Sequence, residues 1–249
     1  MLYKNIKGRV YRFIKELPII SWFYVRVYSE IKVGGRFSKL DVKNTFEEIN
    51  KSGHWRADQQ ESVSGPGSVV ATTSNLIEEL PELFDNYQIK KLLDCPCGDF
   101  NWMRKVDLRK VEYIGGDIVK ELIQRNNDYY SCDGKSFQVL DIICNALPKS
   151  DLILVKDCFV HFSYNDIKQA LQNISSSGIK YILITHFPLT KRNFDITTGS
   201  WRPINFNLSP FLWPEPIEII YEDGIEAKGQ YPDKCLALYS LSDLGTLML

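Results

Sequence analysis

The 249-residue chain has almost no net charge, 30 lysines and arginines standing against 31 aspartates and glutamates. Without a whole-molecule field of one sign, no nucleic-acid partner is expected. It also lacks a C-x-x-C pair. The six cysteines (Cys95, Cys97, Cys132, Cys144, Cys158 and Cys235) are scattered through apolar contexts, and the closest two are spaced C-x-C. Thioredoxin-like and structural zinc sites need the wider spacing. Of only three histidines, His54 and His186 stand far from any cysteine, and His161 neighbours Cys158 alone. No metal is expected, and free thiols of this kind suit a reducing, cytoplasmic setting. No apolar run reaches the length of a membrane-spanning helix. The longest near the N-terminus, 17–25, is broken by Pro18 and Ser21 and has no small-residue cleavage site after it. Finally, no G-x-G-x-x-G motif is present, which counts against a nicotinamide or flavin oxidoreductase.

What is present begins with a basic amphipathic stretch. In residues 1–31, Lys4, Lys7, Arg9, Arg12, Lys15 and Arg26 face only Glu16 and Glu30, with apolar and aromatic residues between them. This reads as a helix packed on the main domain or a second subunit, with a membrane surface as the alternative. We assign 1–60 to an N-terminal helical extension and 61–249 to the main domain.

From Ile89 onward, short β-rich runs alternate with amphipathic stretches, the pattern of βαβ units and a mostly parallel sheet covered on both faces. Seven strands are predicted, at 89–94, 111–117, 137–140, 151–156, 181–186, 217–221 and 235–241. Helices are predicted at 75–80, 102–106, 120–126 and 165–174, the last capped by Ser163 with Asp166 three residues on. Residues 187–216 carry five prolines, enough to forbid a long helix. Such a segment suggests a lid or binding loop.

The stretch LLDCPCGDFNW at 92–102 falls at the first strand-to-helix turn, where doubly wound sheets bind cofactors. Gly98 permits close backbone approach, and Asp117 ends the second strand nineteen residues later, the spacing of a ribose-binding carboxylate. Asp94, Asp117 and Asp141 close three successive strands. Each could simply cap a turn, but three together favour a cofactor site.

In these residues the chain resembles the class I S-adenosylmethionine-dependent methyltransferases. Asp94 to Gly98 matches the first motif, with Asp99 and Phe100 replacing the usual second glycine; Asp117 matches the second motif and Asp141-Ile142 the third. The resemblance covers roughly 60–249. It implies a Rossmann-like seven-stranded fold, S-adenosylmethionine as cofactor, and Asp94, Cys95, Gly98, Asp99, Asp117, Ile118, Asp141, Ile142 and Lys156 around it. The segments SVSGPGS at 62–68, KDCFVHFS at 156–163 and NFDITTGSWRPINF at 193–206 look like a bacterial branch associated with surface-polysaccharide or natural-product pathways. Such a role implies O-methylation of a small molecule or glycan.

A hydroxyl acceptor needs a base, and His161, one turn past the fourth strand, is the first candidate, titrating near neutrality; Asp157 could orient its imidazole. An Mg²⁺ held by Asp157 with Asn193 or Asp195 is the weaker alternative. His186 and the lid residues Arg192, Asn193, Asp195, Trp201, Arg202 and Asn205 are candidates for gripping an anionic or polyhydroxylated acceptor. Two other readings stand beside methyl transfer: a degenerate methyltransferase fold serving as a binding subunit, and a nicotinamide-dependent oxidoreductase.

Overall fold

The computed structural model describes residues 35–56, 61–224 and 229–245. The basic stretch in residues 1–31 lies outside them. The seven strands are β1 (Lys91–Asp94), β2 (Glu112–Asp117), β3 (Lys135–Val139), β4 (Leu152–Val155), β5 (Tyr181–His186), β6 (Glu218–Tyr221) and β7 (Cys235–Ser240). They form one sheet in the order β3-β2-β1-β4-β5-β7-β6. Strands β1 to β5 run parallel, and β7 is antiparallel to both β5 and β6.

Alternation along the strands divides the core in two. Leu93, Ile153, Val155, Ile182 and Ile184 face α4 (Tyr164–Ser176), which buries Ile167, Ala170, Leu171 and Ile174 against them. Leu92, Leu152, Leu154, Leu183 and Leu236 face the other way, onto Leu76, Leu80, Leu83 and Phe84 of α2 (Ser74–Asn86) and Ile123 of α3 (Lys120–Tyr130). Period-2 strands against period-3.6 helices cover both faces of the central strands.

Two local readings change. The helix expected to stop at Leu80 runs on to Asn86 with Pro81 inside it, because the buried stripe of Leu83 and Phe84 continues and outweighs the one backbone bond that proline gives up. The helix expected over 102–106 is a single 3-10 turn, Met103–Lys105. Residues expected in an N-terminal cap include α1 (Val42–Ser52), capped by the Asp41 side chain on the Asn44 amide. Ser163 caps α4 through the Asp166 amide as expected.

Candidate active site

The carboxyl ends of β1, β2 and β4 open into a cleft of about 980 Å³, counted to its open mouth, roofed by α1 and the loop 62–68. Asp94, Cys95, Gly98, Asp117, Ile118, Asp141, Ile142, Lys156 and Asp157 all line it. The turn after β1 is tied to its neighbours on both sides: the Cys95 amide donates to Leu154 O and the Cys97 amide to Gly116 O. The two thiols are packing groups. They lie over Gly115 and Gly116 of β2, where an added Cβ would stand 3.1 Å from Cys97 Sγ and 3.4 Å from Cys95 Sγ, and burial raises both thiol pKa values. Among the described residues no group of three or more His, Cys, Asp or Glu is placed to hold a metal ion.

Gly98 is required twice. Its φ is +55°, and a Cβ there would meet Ser64 Oγ at 2.5 Å. Phe100 takes φ +58°, where a glycine would sit without strain. Its ring is held within 5.0 Å of Tyr113 and Phe137 and 5.3 Å of Tyr130, so aromatic packing holds the turn that a second glycine would otherwise relax.

Two carboxylates dominate the floor. Asp117 accepts from the Gly98 amide (3.0 Å) and the Val119 amide (2.9 Å), and Asp94 from the Tyr113 hydroxyl (2.6 Å). Burial pushes Asp94 up to about 7 and Asp117 up to about 6, against the pull of those hydrogen bonds. Asp141 accepts from the Ile143 amide at the adjacent rim.

Asp99 does not line the cleft. Its Oδ2 accepts from Ser62 Oγ (2.8 Å) and the Val63 amide (2.7 Å), while its own amide donates to Ser64 Oγ (2.9 Å). It clamps the roof loop rather than facing a ligand. Lys156 clamps the other end of that loop, donating to Gly67 O at 2.8 Å.

Asp157 and His161 are not hydrogen-bonded as orienter and base. Asp157, at φ +51°, is ion-paired to Lys156 (2.6 Å) and Lys234 (2.9 Å), both lysines also reaching Glu222. The two lysines hold its carboxyl well below the usual range despite burial. His161 instead places Nδ1 2.8 Å from the carbonyl oxygen of Ser200. A carbonyl can only accept, so the Nδ1–H tautomer is selected and Nε2 keeps its lone pair. Burial holds His161 down at about 4, not near neutrality. Trp55 lies over its ring, centroids 4.6 Å apart. Lys234 and Glu222, from the β6–β7 region, carried no signal in the sequence; only the antiparallel return of β7 brings them to Lys156 and Asp157, just past β4.

The segment 187–216 has no helix, as its prolines require, but it is not a lid over the cleft. None of His186, Arg192, Asn193, Asp195, Trp201, Arg202 or Asn205 lines the cavity. Arg202 is fully buried, donating to Phe159 O (3.1 Å) with its guanidinium over the Tyr164 ring. Asn193 donates to Asn205 O (2.8 Å), Asn205 donates to Pro188 O and Thr190 O, and Asp195 accepts from the Tyr164 amide. His186 accepts from the Phe206 amide and is held down at about 4 by burial. Trp201 packs on Phe187 and Tyr231, and Arg192 is exposed. These contacts fasten the segment to itself while Ile204, Phe206, Phe211 and Trp213 enter the core. The proposed Mg²⁺ partners Asn193 and Asp195 are likewise engaged elsewhere.

No protein-family model matches the chain, and no curated protein sequence does. Its likenesses are three-dimensional. A SAM-dependent methyltransferase of Leishmania major superposes with a TM-score of 0.57 at 12% identity, over 81% of this chain and 87% of that one. The N-methyltransferase NodS of Bradyrhizobium japonicum, in complex with S-adenosyl-L-homocysteine, gives 0.54 at 14% identity, over 80% and 98%. Human N-acetylserotonin methyltransferase with SAM gives 0.44 at 14% identity over 76% of this chain, which spans 65% of that one. The fold is that of the S-adenosylmethionine-dependent methyltransferases, a Rossmann-like sheet with its seventh strand reversed.

Proposed function

We propose that this protein transfers a methyl group from S-adenosylmethionine to the oxygen of a small molecule or glycan. The observation that carries the reading is the pair of buried carboxylates, Asp94 and Asp117, whose hydrogen-bond donors are a phenol and backbone amides rather than cations. A cleft floored this way suits a ligand with ribose hydroxyls and a positive charge, and it opposes the two phosphates of a dinucleotide. A methyltransferase neighbour crystallised with the product S-adenosyl-L-homocysteine supports the assignment.

S-adenosylmethionine supplies a methyl group on a positively charged sulfur, which becomes a neutral thioether when the group leaves. The chain's own part is to place the acceptor in line and to take its proton. Asp117 is set to accept from the ribose hydroxyls, Asp141 and Ile142 to border the adenine, and the roof loop with α1 to exclude water. His161, fixed as the Nδ1–H tautomer by Ser200, keeps Nε2 for the proton, and it stands behind Trp55, which lines the cleft, rather than on the lining itself.

The bacterial polysaccharide or natural-product setting is proposed on the likeness of the motifs at 62–68, 156–163 and 193–206. Contact with a membrane surface or second subunit through residues 1–31 is proposed on their charge pattern alone. Calorimetric titration with S-adenosylmethionine and with NAD tests the core assignment. Binding of the first without the second is expected; the reverse would return the site to an oxidoreductase, and silence to both would make the fold a binding subunit.

A further inference from the structure

The cleft has two sides, and sheet order separates them. Asp117 and Asp141 follow β2 and β3 on one side of β1, whereas Cys158, His161 and Phe162 follow β4 on the other. With the ribose and adenine carboxylates on the first side, the acceptor belongs on the second.

That second side is an aromatic wall. Phe46 of α1 stands 5.7 Å from Phe162 and 5.8 Å from Trp55, centroid to centroid, and Trp55 covers His161. Val42, Val63 and Cys158 extend the wall. The polar side chains that line the cleft besides the acids and Lys156 are few, Asn50, Ser64 and Ser68, and the free cation that an anion would need is not among them. Lys156 is the one lysine or arginine among the described residues lining the cleft, and Asp157, Glu222 and Gly67 O already occupy it. Asn193, Arg202 and Asn205 donate to backbone carbonyls of the protein. Four aspartates (94, 117, 141 and 157) line the same cavity, so a negatively charged acceptor meets like charge.

We propose that the acceptor is an uncharged molecule with a flat aromatic ring bearing a hydroxyl, seated against Phe46, Trp55 and Phe162, with His161 behind Trp55. This rests on the methyl-transfer reading and narrows it. Ring faces and edges pack on such a wall with a preference that an aliphatic chain or an anion does not share. A ring hydroxyl, ionising near 10 as tyrosine does, also yields its proton far more readily than an alcohol. In the step, an oxygen lone pair forms the bond to the methyl carbon, the carbon–sulfur bond breaks with its electrons going to sulfur, and the hydroxyl proton passes to His161 Nε2. The products are an aryl methyl ether and the thioether.

The test uses the full chain saturated with S-adenosylhomocysteine. Phenol, catechol and 5-hydroxyindole are titrated against methyl glucoside and glucuronate, with binding followed by ligand-observed NMR. At least one ring hydroxyl should bind where both sugars do not. Trp55→Ala should weaken that binding by about tenfold or more and Trp55→Phe by much less, with S-adenosylhomocysteine affinity retained as the measure of an intact fold. Tighter binding of glucoside or glucuronate, no binding by any ring compound, or ring binding indifferent to Trp55→Ala would each overturn the acceptor class while leaving methyl transfer standing. Failure of the wild-type chain to bind S-adenosylhomocysteine would instead overturn the methyl-transfer reading and this inference with it.

Discussion

Asp94 costs the fold stability and lines the cleft to which the cationic cofactor is assigned. It is buried to 2% exposure with its pKa raised to about 7, so the folded chain holds a proton that the unfolded chain releases near 4. Stability therefore falls as pH rises between those values and stays reduced above them, by roughly 4 kcal/mol for a shift of this size. Asp94→Asn keeps an acceptor for Tyr113 without the buried charge. We expect it to raise the thermal midpoint of the ligand-free protein at pH 8 while weakening S-adenosylmethionine binding at least about tenfold. Destabilisation on thermal melting would contradict the burial account. His161 makes a second case. Its position past β4 was legible in the sequence, but its proton affinity was not, because the lowering comes first from burial, which only the folded chain supplies. His161→Ala should cut the single-turnover rate by roughly 10² to 10⁴ with cofactor affinity intact. The wild-type rate should show no inflection from this group near neutrality, since the imidazole is already neutral above about pH 5.

Among the elements, the loop 62–68 matters most. Its Ser-Gly-Pro composition marks a turn and its motif a family likeness, but neither shows that it is fastened at both ends, to Asp99 after β1 and to Lys156 after β4. Gly67 lies so close to Asp157 and Lys234 that an added Cβ would collide with the Asp157 carboxylate. Asp99→Ala should release residues 62–64. Hydrogen exchange in that loop should quicken and S-adenosylmethionine affinity should fall by about 1 to 3 kcal/mol, although Asp99 faces no ligand. Unchanged exchange would show that the clamp is not what holds the roof. The segment 187–216 was misread for a related reason. Its prolines correctly forbade a helix, and its Arg, Asn and Trp residues suggested a grip on substrate. The residues that decide its place are Ile204, Phe206, Phe211 and Trp213, whose irregular spacing follows neither a strand nor a helix period and so gives no face to read.

For the whole molecule, all seven strands and a mostly parallel sheet were legible, because buried parallel strands read as short apolar runs and their carboxyl ends carry the acids. The antiparallel return of β7 was not, and with it went the Lys234–Glu222 pair beside Asp157. The central claim is that this sheet holds S-adenosylmethionine through Asp117 at the end of β2. Calorimetry of the wild type and of Asp117→Ala across pH 5.5 to 8 tests it most directly. The wild type should bind more tightly as pH rises through about 6 to 7, where Asp117 and Asp94 ionise, and Asp117→Ala should lose about 1.5 to 3 kcal/mol or more of affinity at pH 8. A folded Asp117→Ala variant that binds S-adenosylmethionine as tightly as the wild type, with the same pH profile, would contradict the account.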